Sequence, residues 1–555
     1  MRILSAAEAR QIDKTVEEEQ VIPLRLLMEN AGAAVANAAI LPDYTSYYVL
    51  FILGTGNNGA DGLVAMRHLA EDGVKTKAII LGNVEKKGSP LFKEQLAYVK
   101  AFQLDFTIFN SYSTNELSEL ELAWILDEVG HSQVIVEGLM GTGFSGTLKP
   151  QMATILQLLR TAQIKAYEEK RFMRFIAIDI PAGINADTGA ISNESAAISA
   201  APVAVSNSND NANVALPLFD KTVTFGAAKQ GMYFYPGAAH CGSIQVERLG
   251  IPWQRMETLK SVTIPPVYYV DASSCSWLPQ REAIVHKGNL GHTAIIGGSL
   301  GMLGAPVMAA KGALRSGAGK TTLVVPDSIL SEIQMMVDPE VMTKSFCHVD
   351  DISFLLADKE AVAIGPGLGR SEFAESILLE VINQSNELKD IRGMVLDADA
   401  LYALGAGADA IELLQSVAVP VVITPHVGEF SRLIGLQASA IEADRVGVAR
   451  AYAQKTGATV VLKGKPTVTA LPNGEVYINS TGNPGMAIGG MGDVLTGVIA
   501  AFIGMGMASS KAAILGVYLH GKSADILAKK QPWGYTPSEV AASIAKAFTE
   551  GGYAK

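Results

Sequence analysis

Short apolar runs recur along the whole chain, and most of them end in a polar, glycine-rich segment. In the first half, such runs cover residues 47–53, 133–136 and 175–178. Uninterrupted apolar runs of this length predict strands that are buried on both faces of a parallel sheet. Helical periodicity fills much of the sequence between them, so the pattern predicts an α/β protein.

Helix signals lie between these runs. Residues 5–39 predict two helices, because Ser5 and Glu8 form a capping-box pair and Pro23 opens the second segment. The glycine-rich loop 54–62 separates the first strand from a helix predicted over residues 63–71. A strand, a glycine-rich loop and a helix in this order predict the opening of a βαβ unit.

The same alternation of strands and helices is predicted for the second half. Its strands are predicted at residues 293–296, 361–364, 393–396, 421–424 and 459–462. Each is followed by a polar loop, and parallel strands bring such loops to one edge of a sheet, where ligands bind. The sequence near residue 260 lacks the hydrophobic periodicity of helices and strands, which predicts a junction between two domains. The first domain is predicted to cover residues 1–255 and the second residues 265–555.

The composition narrows the function classes. A chain of 555 residues exceeds one ordinary core, and 49% hydrophobic with 18% charged residues is typical of folded globular proteins. The net charge of −11 argues against a nucleic-acid groove or an anionic membrane surface. Three cysteines without CxxC spacing predict neither a disulfide framework nor a zinc site. We expect a soluble, cytoplasmic, homo-oligomeric protein with small-molecule partners and no nucleic-acid or membrane partner.

Residues 481–497 are the strongest candidate for a functional site, because they contain one carboxylate, Asp493, among several glycines. An apolar run that predicts a helix begins directly after Asp493. The N–H groups of a helix N-terminus bind phosphate, and a nearby carboxylate can take a proton from a hydroxyl. This arrangement favours phosphoryl transfer, although a glycine-rich turn with Asp493 as its N-cap is an alternative. The GxxxxGK[ST] motif is absent, which excludes a P-loop enzyme.

Polar loops of the first half suggest a second site. The loop 54–62 contains GxGxxG, but no acidic residue ends the next predicted strand, which argues against a plain dinucleotide fold. Its Asn57, Asn58 and Asp61 offer ligands for a ribose, a phosphate or a cation, or else form a polar turn. Glu137 and Asp179 follow two further strands, so Asn58, Glu137 and Asp179 are predicted to line one pocket.

Single residues of the second half are ambiguous when they are taken alone. His426 is compatible with a loop histidine whose nitrogens are satisfied locally, and Lys463 with a solvated lysine at a strand end. Asp397 and Asp399 are compatible with turn formers. Placed together with Asp493 on one sheet edge, they offer phosphate donors and a proton acceptor.

Residues 5–252 resemble the N-terminal epimerase domain of bifunctional NAD(P)H-hydrate repair enzymes. The resemblance rests on residues 54–62, on the Gly141-Thr142-Gly143 loop, on Asp179-Ile180-Pro181 and on Lys229-Gln230-Gly231. It implies a Rossmann-like three-layer αβα sandwich, with Asp179 as the acid/base residue. Potassium is implied at Asn58, Glu137 and Ala182, although the family pattern has Asp and Ser at the last two positions.

The same resemblance implies a set of residues that hold the hydrated nicotinamide nucleotide, NADHX or NADPHX. At one of them, Ala60, the family pattern has glycine. The set comprises Asn57, Asn58, Gly59, Ala60, Asp61, Gly141, Thr142, Gly143, Phe144, Ser145, Gly146 and Thr147.

Residues 265–555 resemble the ribokinase-like superfamily, and within it the ADP-dependent (S)-NAD(P)H-hydrate dehydratases, which implies a second αβα domain. The matching motifs are Lys287-Gly288, Gly297-Gly298-Ser299, residues 365–369, 397–401, 424–429, Lys463-Gly464 and residues 481–497. The resemblance implies that Gly367, His426 and Asp493 contact the hydrated nucleotide, that Asp493 is catalytic, and that ADP and magnesium are required. The implied ADP-binding residues are Lys463, Gly464, Lys465, Pro466, Thr467, Asn483, Pro484, Gly485, Met486, Ala487, Ile488, Gly489, Gly490, Met491 and Gly492.

Two alternatives remain at this point. The second half is also compatible with a ribokinase-like kinase for a vitamin precursor, which would use the same glycine-rich turn and would accumulate a phosphorylated product. The first half is also compatible with a non-catalytic binding domain.

Overall fold

A computed structural model describes residues 1–18, 22–110, 117–143, 146, 148–191, 216–251, 265–279 and 284–551. The chain divides into two compact units, Arg2–Ile264 and Pro265–Lys555, with Met1 grouped with the second. No helix within the described ranges is long and apolar enough to cross a membrane.

The first unit alternates strands and helices. Its strands are β1 (Arg2–Ile3), β2 (Tyr48–Leu53), β3 (Lys75–Leu81), β4 (Asp105–Phe109), β5 (Val134–Gly138), β6 (Arg174–Ile178), β7 (Lys221–Phe225) and β8 (Ser243–Glu247). Its described helices are α1 (Ala6–Glu18), α2 (Leu24–Ala39), α3 (Asn57–Glu71), α4 (Val84–Lys87), α5 (Pro90–Ala101), α6 (Glu119–His131) and α7 (Pro150–Glu168).

A parallel sheet with the strand order β4-β3-β2-β5-β6-β7-β8 forms the centre of this unit. Every side chain of β2 is buried, which explains the continuous apolar run of that strand. The strand order reverses direction between β2 and β5. Ligands of open α/β sheets bind at such a switch point, outside the carboxyl ends of the strands.

The second unit has a longer series of elements. Its described strands are β9 (Val267–Val270), β10 (His292–Ile296), β11 (Lys320–Pro326), β12 (Met342–Phe346), β13 (Ala361–Ile364), β14 (Met394–Leu396), β15 (Val421–Ile423), β16 (Thr459–Leu462), β17 (Val468–Ala470) and β18 (Val476–Asn479). Its described helices are α8 (Gly304–Arg315), α9 (Leu330–Met336), α10 (Asp351–Leu356), α11 (Glu372–Glu387), α12 (Asp399–Ala403), α13 (Gly407–Gln415), α14 (Val427–Ile434), α15 (Ala438–Ala443), α16 (Arg445–Thr456), α17 (Met491–Gly504), α18 (Ser509–Ala528) and α19 (Pro537–Glu550).

These strands pair in the order β9-β18-β17-β16-β15-β14-β13-β10-β11-β12. The direction of the order reverses between β10 and β13, which defines a second switch point. The pairs β16–β17 and β17–β18 are antiparallel, so the predicted alternation of strand and helix is wrong after β16. The apolar helix α17 is buried from Val494 to Gly504 and packs closely on α8.

The predicted α/β class is confirmed, and most strand ends lie within one residue of the prediction. Two local predictions are wrong. Residues 57–62 were predicted to belong to the loop but form the first turns of α3. This helix begins at Asn57, directly after the extended N-cap residue Gly56. Glu137 lies inside β5 and is buried, rather than in the loop after the strand.

Candidate active sites

The glycine-rich stretch around Asp493 forms the turn that begins α17. Gly490 is the N-cap, with φ at +96°, a left-handed conformation that glycine adopts without strain. Asp493 is therefore not the N-cap, as the simpler interpretation required, but belongs to the first helical turn. Its carboxylate lies at the end of the helix that carries unpaired backbone N–H groups, so an anion site and a proton acceptor coincide.

A buried ion pair lies under this turn. Lys463 Nζ donates to Asp397 Oδ1 at 2.9 Å, and Thr496 Oγ1 donates to Asp397 Oδ2 at 2.7 Å. A Cβ atom built on Gly492 would lie 3.2 Å from Lys463 Nζ, so the turn passes directly over the ammonium group. Asp397 is thus an ion-pair partner, whereas the sequence left it open as a turn former. Thr496 was missed, because a threonine inside an apolar helical run carries no separate signal.

The electrostatics of this cluster favour a proton acceptor at Asp493. Burial, and then the negative charge of Asp397, raise the pKa of Asp493 to about 7, against the opposing effect of Lys463. Asp399 and Glu429 raise it further. Burial also acts to raise the pKa of Asp397, but the Lys463 ammonium outweighs it and holds that pKa below its ordinary value. A carboxylate with a pKa near 7 is suited to general-base catalysis at neutral pH.

His426 is the N-cap of α14. Its Nδ1 accepts hydrogen bonds from the backbone N–H groups of Gly428 at 3.0 Å and Glu429 at 3.3 Å. The Glu429 carboxylate in turn accepts from the His426 backbone N–H at 2.8 Å, which completes a capping box. Nε2 of the ring lies 3.4 Å from Glu429 Oε1, so both ring nitrogens have partners in this turn, while 60% of the side chain remains exposed. His426 also bridges to Lys463 through the backbone, which places it beside the ion pair.

Asp399 anchors the loop that contains Gly367. Its carboxylate accepts from the backbone N–H of Gly369 at 3.0 Å and from Nε of Arg370 at 3.1 Å. The Gly367 carbonyl accepts from Ser299 Oγ at 2.9 Å, so this loop is held from two sides. The loops after β10, β13 and β14 therefore meet at the carboxyl edge of the sheet, as the sequence predicted, and this place is the switch point between β10 and β13.

The two stretches predicted to hold ADP approach each other at Lys463 and Gly492. Their members differ in accessibility. Pro466 and Met491 are buried, so their side chains are directed into the protein. The exposed members are Gly464, Lys465, Pro484, Ala487, Ile488 and Gly489. Within residues 483–492, the exposed part is therefore centred on residues 487–489.

In the first unit, Asp179 follows β6 and forms a buried ion pair. It has φ at +64°, a conformation that is uncommon outside glycine and that often marks a functional position. The ammonium group of Lys229 forms a short contact with Asp179 Oδ1 and donates to Thr224 Oγ1 at 2.8 Å. Lys229 is only 2% exposed. Its motif was recognised in the sequence, but no role followed for the lysine, because β7 brings it to Asp179 only in the fold.

Glu137 and Asn58 lie on either side of the loop after β5. Glu137 is fully buried, with Oε1 accepting from the Leu139 N–H at 2.6 Å and Oε2 from the Ala182 N–H at 3.0 Å. Asn58 Nδ2 donates to the carbonyls of Met140 at 2.8 Å and Ile178 at 3.0 Å. Burial raises the pKa of Glu137 to about 7, against the effect of the two backbone hydrogen bonds.

The structure brings three of the predicted residues of the first site together, namely Gly141, Asp179 and Asn58. A Cβ atom built on Gly141 would lie 3.4 Å from Asp179 Oδ2 and 3.6 Å from Asn58 Cβ. Asp61 and Ala60 are buried in the first turns of α3, so the Ala60 methyl group is directed into the core. The predicted residues Phe144, Ser145 and Thr147 lie outside the described part of the chain.

Comparison with known proteins identifies the family. The family model described as NAD(P)H-hydrate dehydratase matches residues 293–546, and the model described as YjeF-related protein N-terminus matches residues 25–231. The bifunctional NAD(P)H-hydrate repair enzyme Nnr of Moorella thermoacetica is 34% identical over 548 residues, which cover 96% of this chain and 93% of the relative. The chain belongs to the family of bifunctional NAD(P)H-hydrate repair enzymes.

Other members of the repair-enzyme family match along their length. The enzyme of Thermofilum pendens is 32% identical, over 96% of this chain and 93% of the relative. The solved ADP/ATP-dependent NAD(P)H-hydrate dehydratase of Bacillus subtilis, co-crystallised with ATP and Mg²⁺, is 29% identical, covers 52% of this chain and 100% of that one, and has a TM-score of 0.44. The predicted repair enzyme with epimerase and dehydratase activities is therefore confirmed.

Proposed function

We propose that the second unit converts (S)-NAD(P)H hydrate to NAD(P)H at the expense of ADP, with Asp493 as the general base. The observation that carries this assignment is the position of Asp493, a carboxylate with a pKa near 7 at the N-terminal turn of α17 beside the Asp397–Lys463 pair. Hydroxide is a poor leaving group, so the hydroxyl of the hydrate must first be converted into a better one.

In the proposed reaction, Asp493 takes the hydroxyl proton and the oxygen attacks the terminal phosphorus of ADP. The bond between that phosphorus and the bridging oxygen breaks, and AMP leaves. Backbone N–H groups at the start of α17 stabilise the charge that develops on the phosphoryl oxygens. The ring nitrogen then donates its lone pair as the carbon–oxygen bond breaks and phosphate leaves, and loss of a proton from the adjacent ring carbon gives NAD(P)H.

We propose that magnesium enters this site with ADP. Within the described residues, no group of three or more His, Cys, Asp or Glu side chains could hold a metal ion. Magnesium usually keeps several water ligands and binds through substrate phosphates and only one or two carboxylates, so it can enter together with the nucleotide. Bound magnesium would neutralise charge on the phosphates, while Lys463 and the turn around Gly492 hold the nucleotide.

For the first unit, we propose that Asp179 moves the proton when the two epimers of the hydrate interconvert. Reversible loss of the same hydroxyl and its return on the opposite ring face inverts the carbon, and each passage needs a group that gives and takes a proton. Asp179 is 13% exposed, faces the turn at Gly141, and is held by Lys229. Epimerisation would supply the dehydratase with the epimer that it uses.

The combined function is tested by following the NADH absorbance of a mixed-epimer NADHX sample with full-length protein, ADP and magnesium. We expect the absorbance to recover almost completely, because both epimers reach the dehydratase. Recovery that stops near the fraction of the usable epimer would contradict epimerase activity in the first unit. An accumulating phosphorylated product without NADH would contradict the dehydratase assignment.

The potassium site proposed at Asn58, Glu137 and Ala182 fits the donors that are present. No lysine or arginine of the described residues pairs with the buried Glu137, so a bound cation would offset its charge. The Asn58 amide oxygen and the Ala182 carbonyl are further oxygen donors of the kind that hard cations prefer. When bound, potassium would hold the loop after β5 in place beside Asp179.

We expect potassium chloride to raise the unfolding temperature of the full chain above that in sodium chloride of equal ionic strength. A ligand present at 100 times its Kd stabilises the native state by about 2.7 kcal/mol. Glu137→Gln should abolish this difference, because it removes the charge that the cation offsets. Calorimetry of both proteins in both salts is the measurement, and Glu121→Gln, at a half-buried capping position of α6, is the control. Equal unfolding temperatures of the wild type in the two salts would exclude the site.

A further inference from the structure

Residues 482 and 483, at the start of the glycine-rich turn 482–492, are hydrogen-bonded to α18 and to the segment that follows it. Gly482 N–H donates to Asp525 Oδ2 at 3.0 Å, and Asn483 Nδ2 donates to Asp525 Oδ1 at 2.8 Å. One carboxylate thus holds two consecutive residues of the turn. Neither resemblance nor motif spacing pointed to Asp525, which lies about forty residues further along the chain.

Asn483 connects this carboxylate to a second support. Its Oδ1 accepts from the backbone N–H of Gly485 at 3.0 Å and from the buried hydroxyl group of Tyr535. Tyr535 is 2% exposed and packs with Met491, so it contacts both ends of the segment 483–491. The nitrogen and the oxygen of the Asn483 amide therefore both have partners within the protein, and this side chain links Asp525 to Tyr535.

The backbone of α18 approaches the turn very closely. A Cβ atom built on Gly521 would lie 2.4 Å from Thr481 Oγ1 and 2.9 Å from the Gly482 backbone nitrogen. Thr481 Oγ1 also donates to the Tyr518 carbonyl at 2.7 Å. The helix is thus close enough for Asp525 to reach the turn without an intervening water.

We infer that Asp525 is a positioning residue for the nucleotide, and that it holds the backbone of residues 482–485 in the conformation that binds ADP. This inference rests on the proposed function, in which residues 483–492 hold ADP. Other residues of the turn, such as Ala487 and Gly489, are exposed. A turn with this many glycines has high conformational entropy, so a fixed start lowers the cost of ordering it around a ligand.

The test compares Asp525→Ala with the wild type in the full-length chain. Loss of two hydrogen bonds to a carboxylate should raise the Kd and the KM for ADP by about 10- to 100-fold. The kcat at saturating ADP and the KM for the hydrate should change little, because the hydrogen bonds of Asp525 go to Gly482 and Asn483 and not to Gly367, His426 or Asp493, which are proposed to contact the hydrate. Tyr535→Phe removes one hydroxyl group and should raise the KM for ADP by a smaller factor than Asp525→Ala does. It replaces Asp525→Ala as the test variant if that protein does not fold.

The matched control is Lys522→Ala on the same helix. Lys522 pairs with Glu550 at 3.4 Å and does not contact the turn, so its loss weakens helix packing alone. The control should keep the affinity for ADP even if its unfolding temperature falls. Calorimetric binding of ADP with magnesium, measured first on the wild type, separates the two hypotheses. A wild type that does not bind ADP would refute the proposed function, whereas a wild type that binds and an Asp525→Ala variant with the same Kd would overturn only the role of Asp525.

Discussion

Asp493→Asn should lower the turnover of (S)-NADHX by roughly two to four orders of magnitude, because general-base help is worth about that much. ADP binding should be retained, since the backbone N–H groups at the start of α17 and the Asp397–Lys463 pair are unchanged. The measurement is single-turnover NADH formation together with calorimetric ADP binding. Asp409→Asn, which alters an exposed carboxylate of α13, is the control. Turnover of Asp493→Asn at the wild-type rate would remove Asp493 from the mechanism.

The pH dependence of kcat/KM is a second test of Asp493 as the general base, because this role fixes the direction in which kcat/KM changes with pH. The base acts as the carboxylate, and burial raises its pKa in the folded protein to about 7. The kcat/KM for the hydrate should therefore be lost as the pH falls through about 7 and be complete above it. A carboxyl group whose folded pKa is raised opposes folding once it ionises, so Asp493→Asn should be at least as stable as the wild type at pH 8. A profile that is flat between pH 6 and 8 would contradict this assignment.

Much of the architecture was predictable from the sequence, because strands that are buried on both faces of a parallel sheet appear in the sequence as continuous apolar runs. The wholly apolar run of β2 and the polar residues after β6 and β13 marked the strands and their carboxyl ends correctly. The start of α3 was misplaced because glycine and asparagine are poor helix formers, yet here they occupy its first turn, where N–H groups have no helical partner. The strands β17 and β18 were missed because they form an antiparallel hairpin, whereas the predicted alternation of strand and helix allowed only for parallel strands.

Side chains that act through long-range contacts were less predictable. Asp397 precedes Thr496 by 99 positions, and Asp179 precedes Lys229 by 50, so no local pattern joins either pair. The motif around Asp493 gave the chemistry of one residue, whereas its pKa depends on Asp397, Lys463 and burial, which only the fold supplies. Sequence motifs therefore indicated the candidate residues of both sites, and the fold adds the buried contacts that shift the pKa values of Asp397 and Asp493.

The ion pair of Asp179 and Lys229 carries the other large expected effect. Lys229→Met should leave the carboxylate of Asp179 buried without its cation, and breaking a buried pair in this way costs about 3–5 kcal/mol of stability. It should also lower the enzymatic consumption of the unusable epimer by roughly two to four orders of magnitude, if Asp179 needs the lysine to transfer the proton. Dehydration of pure (S)-NADHX should continue at the wild-type rate, because it takes place in the second unit.

A double-mutant cycle separates the catalytic role of this pair from its contribution to folding. Lys229→Met combined with Asp179→Asn removes both charges, and asparagine tolerates the positive φ of position 179, so stability should recover relative to Lys229→Met alone. Epimerase activity should stay lost, because no group is left to give or take the proton. Lys221→Met is the control, since Lys221 lies at the other end of β7 and donates to Gln245 Oε1 at 3.0 Å. Recovery of epimerase activity together with stability in the double variant would show that Asp179 and Lys229 only support the fold, and that the proton is moved by another group.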